Sequence, residues 1–227
     1  MLLAYLAPTA FSTYTYLAPT AFSTYTNTPK AASGRSRRHT MLAEGLPKAV
    51  VFDLDGCLWA PDMYMLWGGG APFEVREDGD LDDRNGARVR LLGAVRDVLY
   101  ELRTDARWDG AVTAVASCTD EPEWAQECMR KFEVGPVGSG VCIKDVMQLE
   151  QIRKGNKRGH LTSLAEAAGI ELEEMLFFDN ERGNCLDVAE LGVTVAFVPY
   201  GVTGEAWRRA LEAFPAPGEI LDNRRGL

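Results

Sequence analysis

"VVFDLDGCLW", Val50 to Trp59, is the stretch on which the fold turns. Val50, Val51 and Phe52 run straight into two carboxylates, Asp53 and Asp55, on what reads as a buried strand, where an unpaired charge is strongly disfavoured. Taken from Ala49, "AVVFDL" is a continuous apolar run bounded by polar turns, as expected of a central parallel strand. In open parallel sheets ligands bind outside the carboxyl ends of the strands, and that is where this acid stands.

Outward from that strand the pattern alternates. "LLGAVRDVLYELRTDA" places Leu92, Val95, Val98, Leu99 and Leu102 on one helical face, and "AVTAVAS" (111–117) is a second buried strand. "EPEWAQECMRKFEV" reads as a helix with Pro122 in its first turn, where a missing N–H does no harm. A third strand is expected within 134–148. "KRGHLTSLAEAAGI" has helical spacing closed by Gly169, "MLFFDN" (175–180) is a fourth strand, and "ERGNCLDVAELG" is a helix. "VTVAFVPY" makes a fifth strand and "TGEAWRRALEAF" a last helix. Strand and helix alternating five times predicts an α/β fold, a Rossmann-like three-layer sandwich around a five-stranded, mainly parallel sheet. Residues 60–90 are too short for a separate globular cap. Their Asp-Gly and Asn-Gly turn signals suggest a small hairpin flap, or in the plainer reading a mobile surface loop. The expected organisation is an extension over 1–43, a domain over 44–216 and a tail over 217–227.

The extension differs in kind from the rest. It holds no Asp or Glu and four basic residues, which leaves 20 basic and 33 acidic groups in the other 184 residues, a net charge of −13. A domain so acidic lacks the basic face that phosphate-backbone recognition needs, so no nucleic-acid partner is expected. "YLAPTAFSTYT" occurs at 5–15 and again at 16–26, too few copies for a solenoid. Acid-free, hydroxyl-rich and closed by "SGRSRRHT", the segment reads as a chloroplast or mitochondrial transit peptide with Met41 as an internal start, or else as an unselected disordered extension or a gene-model error, the protein then being cytoplasmic. No run of about 18 apolar residues occurs, so no membrane span is expected. Five cysteines without a C-x-x-C pair indicate neither a disulfide framework nor a zinc site, and fit an intracellular, reducing compartment.

The polar residues converge. Asp53 and Asp55 end the first strand, Ser117 the second, and Asp179 with Asn180 the fourth. Two carboxylates two residues apart, where the chain leaves its extended form, can divide labour as nucleophile or metal ligand and as general acid/base. Charge developing on a phosphoryl group calls for a hard divalent cation, and Mg²⁺ prefers oxygen ligands, one or two of them carboxylates. Taken singly, each residue has an inert reading: a turn carboxylate, a strand-end hydroxyl, a solvated lysine.

"FDLDGCLW", "AVASCT", a lysine on a short helix and "LFFDNE", in that order, resemble the haloacid dehalogenase (HAD) superfamily of aspartate-nucleophile phosphatases. Leu58-Trp59, the K-x-x-H-L spacing at Lys157 to Leu161 and "FFDNE" at 177–181 resemble its magnesium-dependent phosphatase, or acid phosphatase, family over about residues 47–214. The resemblance implies an Mg²⁺-dependent phosphatase acting on phosphate monoesters, from phosphoproteins to small sugar phosphates, through an aspartyl-phosphate intermediate. It implies Asp53 as nucleophile and Asp55 as acid/base. Ser117 with the adjoining Cys118 would bind phosphate, and Lys157 would bridge the phosphoryl group to Asp53 and Asp179. The metal would be held by Asp53, the Asp55 backbone carbonyl and a residue of the Asp179–Asn180 pair. Two positions depart from the family: Cys57 stands where Thr or Val is usual, and Asn180 where a second Asp is usual, as in the related C-terminal-domain protein phosphatases. Cys118 has two further readings, a thiol activated by a helix N-terminus or a small packed residue. His160 is expected as a helix residue packed near the surface. A phosphotransferase and a silent phosphate-binding module remain the alternatives; a receiver-type domain would carry its acidic pair and its phosphorylated Asp in the opposite order.

Overall fold

Val50 and Phe52 share one side of their strand and Ala49 and Val51 the other, and all four are buried, so the strand must be covered on both faces. The computed structural model describes residue 42 and residues 44–224. The repeat, the transit-peptide reading and the last three residues lie outside the described residues. In chain order the elements are β1 Ala49–Phe52, β2 Trp59–Ala60, a 3₁₀ turn Met63–Leu66, β3 Glu74–Val75, β4 Leu81–Asp82, β5 Arg88–Leu91, α1 Val95–Thr104, β6 Val112–Ser117, α2 Pro122–Lys131 and α3 Ile143–Val146. There follow β7 Leu149–Ile152, α4 Lys157–Ala168, β8 Met175–Asp179, α5 Arg182–Ala189, β9 Thr194–Phe197, α6 Gly204–Ala213 and β10 Ile220–Asp222.

The main sheet runs β10-β9-β8-β1-β6-β7, every pair parallel. Val50 and Phe52 pack with Val98, Leu99, Met129 and Trp207 of α1, α2 and α6, while Val51 packs with Leu161, Leu164 and Val188 of α4 and α5. Two apolar layers on one sheet give the three-layer sandwich. β1 lies at its centre, where Phe52 stacks on Phe178 at 5.2 Å.

The sheet has six strands where five were expected. The third lies at Leu149–Ile152, just past the window 134–148, which instead holds α3. The sixth, Ile220–Asp222, belongs to the stretch read as a tail. Both are edge strands, half-buried at every residue, so neither carries the unbroken apolar run that marks an inner strand.

The flap is larger than one hairpin. β2, β5, β4 and β3 form a four-stranded antiparallel sheet, with Gly79 and Gly86 at positive φ in the Asp78-Gly79 and Asn85-Gly86 turns. It is pinned to the body: Arg96 of α1 donates to the Gly79 carbonyl at 2.8 Å, and Glu127 of α2 accepts from the Phe73 amide at 2.9 Å. Those ties hold it against α1 and α2.

Candidate active site

The strand β1 stops because its ladder stops. Asp53 N–H donates to the Phe178 carbonyl at 2.9 Å, and then Cys57 and Leu58 N–H groups fold back on the Leu54 carbonyl at 3.2 and 2.8 Å. Gly56 takes φ +71°, which an L side chain rarely adopts. This reversal brings Asp53 and Asp55 to one cavity of about 270 Å³, which Ser117, Cys118, Lys157 and Asn180 also line. A wider surface hollow of about 750 Å³ lies among Glu205, Arg209, Asp222 and Arg224, where Glu205 is paired with Arg208 and Asp222 with Arg224.

Lys157 enters from the first turn of α4, which Asn156 caps by accepting from Gly159 N–H at 2.8 Å. Only 2% exposed, its ammonium donates to Asp53 Oδ1 and to the Ala116 carbonyl and lies 3.4 Å from Asp179 Oδ2. Two other lysines between β6 and β8 are engaged elsewhere: Lys144 pairs with Glu150 at 2.6 Å, and Lys154, largely exposed, with Asp120 at 3.0 Å. Burial works against the Lys157 charge, but the Asp53 and Asp179 carboxylates outweigh it and hold the ammonium protonated. Burial raises the Asp53 carboxyl against the pull of Lys157, and raises Asp179 to about 7 with the Asp53 charge adding to the lift.

Asp179 and Asn180 point to different tasks. Asp179 is fully buried, its oxygens taken by Glu181 N–H at 2.7 Å, by the Asn184 amide at 3.1 and 3.3 Å and by Lys157. Asn180 lines the cavity, and its Oδ1 is buried without a hydrogen-bond partner among the described residues. Gly56 makes room for it: a Cβ there would lie 2.3 Å from Asn180 Nδ2.

Asp55 accepts from the Trp59 indole N–H at 2.7 Å and from Met63 N–H at 3.1 Å. Burial lifts its carboxyl to about 7, a value suited to carrying a proton near neutrality. Ser117, at the end of β6 and 2% exposed, accepts from Thr119 N–H at 3.3 Å, which opens the turn into α2. Cys118 lines the cavity 3.8 Å from His160 Nδ1, and burial raises its thiol, so the activated thiolate is not what the fold builds. His160 is packed on α4 with no exposed surface.

The site thus brings together all the candidates, Asp53, Asp55, Ser117, Cys118, Lys157, Asp179 and Asn180. The sequence reading missed Asn184, whose signal was its place five residues after Asp179 on the following helix. It also gave no role to Trp59, which the quoted motif contained.

Does a cation fit? Fully ionised, Asp53, Asp55 and Asp179 face one buried ammonium, leaving two negative charges uncompensated. Among the described residues no three His, Cys, Asp or Glu side chains form a ready-made metal cage. What converges is an orphaned amide oxygen and carboxylates, a set of hard oxygen donors, and Mg²⁺ binds through one or two carboxylates and keeps several waters. The residues fit it.

A family model described as Acid Phosphatase matches residues 45–216. The chain is 34% identical over 171 residues to Magnesium-dependent phosphatase 1 of Homo sapiens, covering 74% of this chain and 88% of the human protein. It is 31% identical over 150 residues to a HAD-like hydrolase superfamily protein of Schizosaccharomyces pombe, covering 65% of this chain and 83% of the yeast protein. Two solved structures share the fold. One is the N-terminal part of a Bacteroides fragilis protein, containing a phosphatase domain complexed with Mg (TM-score 0.52, 18% identity, 78% of this chain and 42% of that one). The other is the magnesium complex of a HAD family enzyme from Bacteroides thetaiotaomicron (TM-score 0.51, 18% identity, 73% of this chain and all of that one).

Proposed function

The chain belongs to the acid phosphatase family, and on that premise we propose that it is an Mg²⁺-dependent phosphatase that hydrolyses phosphate monoesters by passing the phosphoryl group through Asp53. The observation that carries this reading is the buried Lys157 ammonium set against Asp53 and Asp179, with Asp55 across the same cavity.

An Asp53 carboxylate oxygen attacks phosphorus, the bond from phosphorus to the ester oxygen breaks, and the Asp55 proton goes to that oxygen to release the alcohol. Water then attacks the phosphorus of phospho-Asp53, returns its proton to Asp55 and frees phosphate. Lys157 neutralises charge at Asp53 and draws the phosphoryl oxygens, and the Ser117 hydroxyl with the N–H groups of the turn into α2 binds them. Asp53, the Asp55 backbone carbonyl and Asn180 would hold Mg²⁺, which supplies Lewis-acid charge compensation at the phosphoryl group. Asp179, occupied by Lys157 and Asn184, keeps the lysine charged and in place. The flap leaves the cavity mouth open at an openly exposed Tyr64, so we extend the substrate range from small phosphate esters to phosphorylated proteins.

The test is hydrolysis of 4-nitrophenyl phosphate by the full chain, with Mg²⁺ and with EDTA, beside Asp53→Asn. Turnover that requires both the metal and Asp53, with phosphate trapped on Asp53 after acid quench, is expected. Turnover retained by Asp53→Asn would refute the mechanism.

A further inference from the structure

Asp55 is held by more contacts than its turn requires. Both oxygens accept, Oδ1 from the Trp59 indole at 2.7 Å and Oδ2 from the Met63 amide at 3.1 Å. Neither donor can drift. Trp59 is fully buried in β2, which pairs with β5 through Leu91, and its ring stacks on Phe132 at 6.1 Å. Met63 opens the 3₁₀ turn whose next residue, Tyr64, faces the cavity. A buried indole N–H prefers a partner. The Trp59 indole finds its partner in Asp55.

The two donors decide where an acid proton can sit. An N–H already occupies one lone pair on each oxygen, and a carboxyl proton placed there would meet it head-on. The proton is left with the remaining lone pair on each oxygen, and Asp55 lines the cavity. Losing either donor frees the carboxyl to rotate and to turn its proton away.

We infer that the Trp59 indole and the Met63 amide are positioning groups that aim the Asp55 proton at the leaving oxygen of the substrate. The inference rests on Asp55 as the acid, as proposed above. Trp59 touches neither substrate nor the reacting atoms; it acts through Asp55.

The experiment exploits the leaving group. Nitrophenolate departs without a proton, whereas the alkoxide of glycerol phosphate needs one, and kcat/KM reports the step in which that bond breaks. Each variant is first checked for a cooperative thermal transition, and kcat/KM is then measured on both esters. For Trp59→Phe a loss of about 10- to 100-fold is expected on glycerol phosphate and of less than about threefold on 4-nitrophenyl phosphate, within the range that misplaced general acids cost. Asp55→Asn shows the same bias, more strongly. Phe132→Leu loosens the packing of Trp59 but keeps its N–H, so the ratio of the two esters stays that of wild type. Met63→Pro removes the other donor at a first helical position, where the backbone accepts proline although the buried Met63 side chain is lost, and reproduces the bias once its cooperative transition is confirmed; it decides the matter should Trp59→Phe not fold. Equal losses on both esters, or none, while Asp55→Asn retains the bias, overturn the positioning role alone. Absence of bias in Asp55→Asn overturns the acid assignment and this inference with it.

Discussion

Replacing Lys157 by methionine, of similar length and without charge, isolates what the buried ammonium does. In the wild type it donates to Asp53 and lies 3.4 Å from Asp179 Oδ2. At that separation two unit charges attract by about 5 kcal/mol if the effective dielectric is about 20. Desolvation offsets part of this, and removing one partner of a buried pair costs about 3 to 5 kcal/mol, because an uncompensated charge stays behind. For a domain of this size that is a fall of about 10 °C in Tm. Acidity should modulate the loss in a definite direction. Burial raises Asp53 and Asp179 above the usual carboxylate value of 3.8, Asp179 to about 7, even with the lysine present. A group whose folded pKa is raised contributes stability that is present at low pH and is lost as pH climbs through the folded value. The deficit of Lys157→Met is therefore largest near pH 8 and shrinks toward pH 5, where the carboxyls take up protons. Mg²⁺ should shrink it too, and Asp179→Asn in the same chain should restore part of it. Calorimetric melts at pH 8 and pH 5, in EDTA and in Mg²⁺, read all three effects. A Tm within about 2 °C of wild type at pH 8 in EDTA, or a deficit that grows toward acid, refutes the reasoning that the ammonium holds these carboxylates together.

Asn180→Asp adds a carboxylate to a cluster that already carries excess negative charge. We expect Mg²⁺ to bind about tenfold more tightly by calorimetric titration and the metal-free variant to melt below wild type, since ligand charge sets affinity at such sites. Gly56→Ala forces a side chain into a positive-φ position and against Asn180 Nδ2, so about 1 to 2 kcal/mol of stability should be lost along with activity. Its effect on kcat/KM should not add to that of Asn180→Ala, because both act on one side chain. His160 is held down to about 4, by burial first and then by Arg153 and Lys157. The unfolded chain therefore binds this proton first, and stability present above pH 6.5 falls as pH drops toward 4. With the ring beside a cleft residue, we expect about 2 kcal/mol of that fall to vanish in His160→Gln, measured by denaturant titration at pH 7 and pH 4.5.

Much of this was legible beforehand, and the parts that were share one property. The inner strands β1, β6, β8 and β9 are contiguous apolar runs because both faces of a central parallel strand are covered, and that requirement is written locally. The strand-end placement of Asp53, Asp55, Ser117 and Asp179 follows from the same runs, since the polar residue comes where the apolar run stops. Edge strands β7 and β10 escaped because half their surface faces outward, so their residues obey no strict pattern.

Some choices the sequence left open. Lys144, Lys154 and Lys157 were alike by composition, only the K-x-x-H-L resemblance singled out Lys157, and the fold buries it. Asp179 and Asn180 were a pair of candidate ligands; packing turns Asp179 onto Lys157 and Asn184 and leaves Asn180 Oδ1 facing the cavity. The clamp on Asp55 and the size of the flap belong with these. Residue type and local period determined which strands are buried and which chemistry their ends can perform. Partner choice showed beforehand only through the family resemblance and is realised by tertiary structure, because the contact that makes the site, Lys157 to Asp53, joins residues 104 positions apart, and no local pattern encodes which side chains an open sheet will bring face to face.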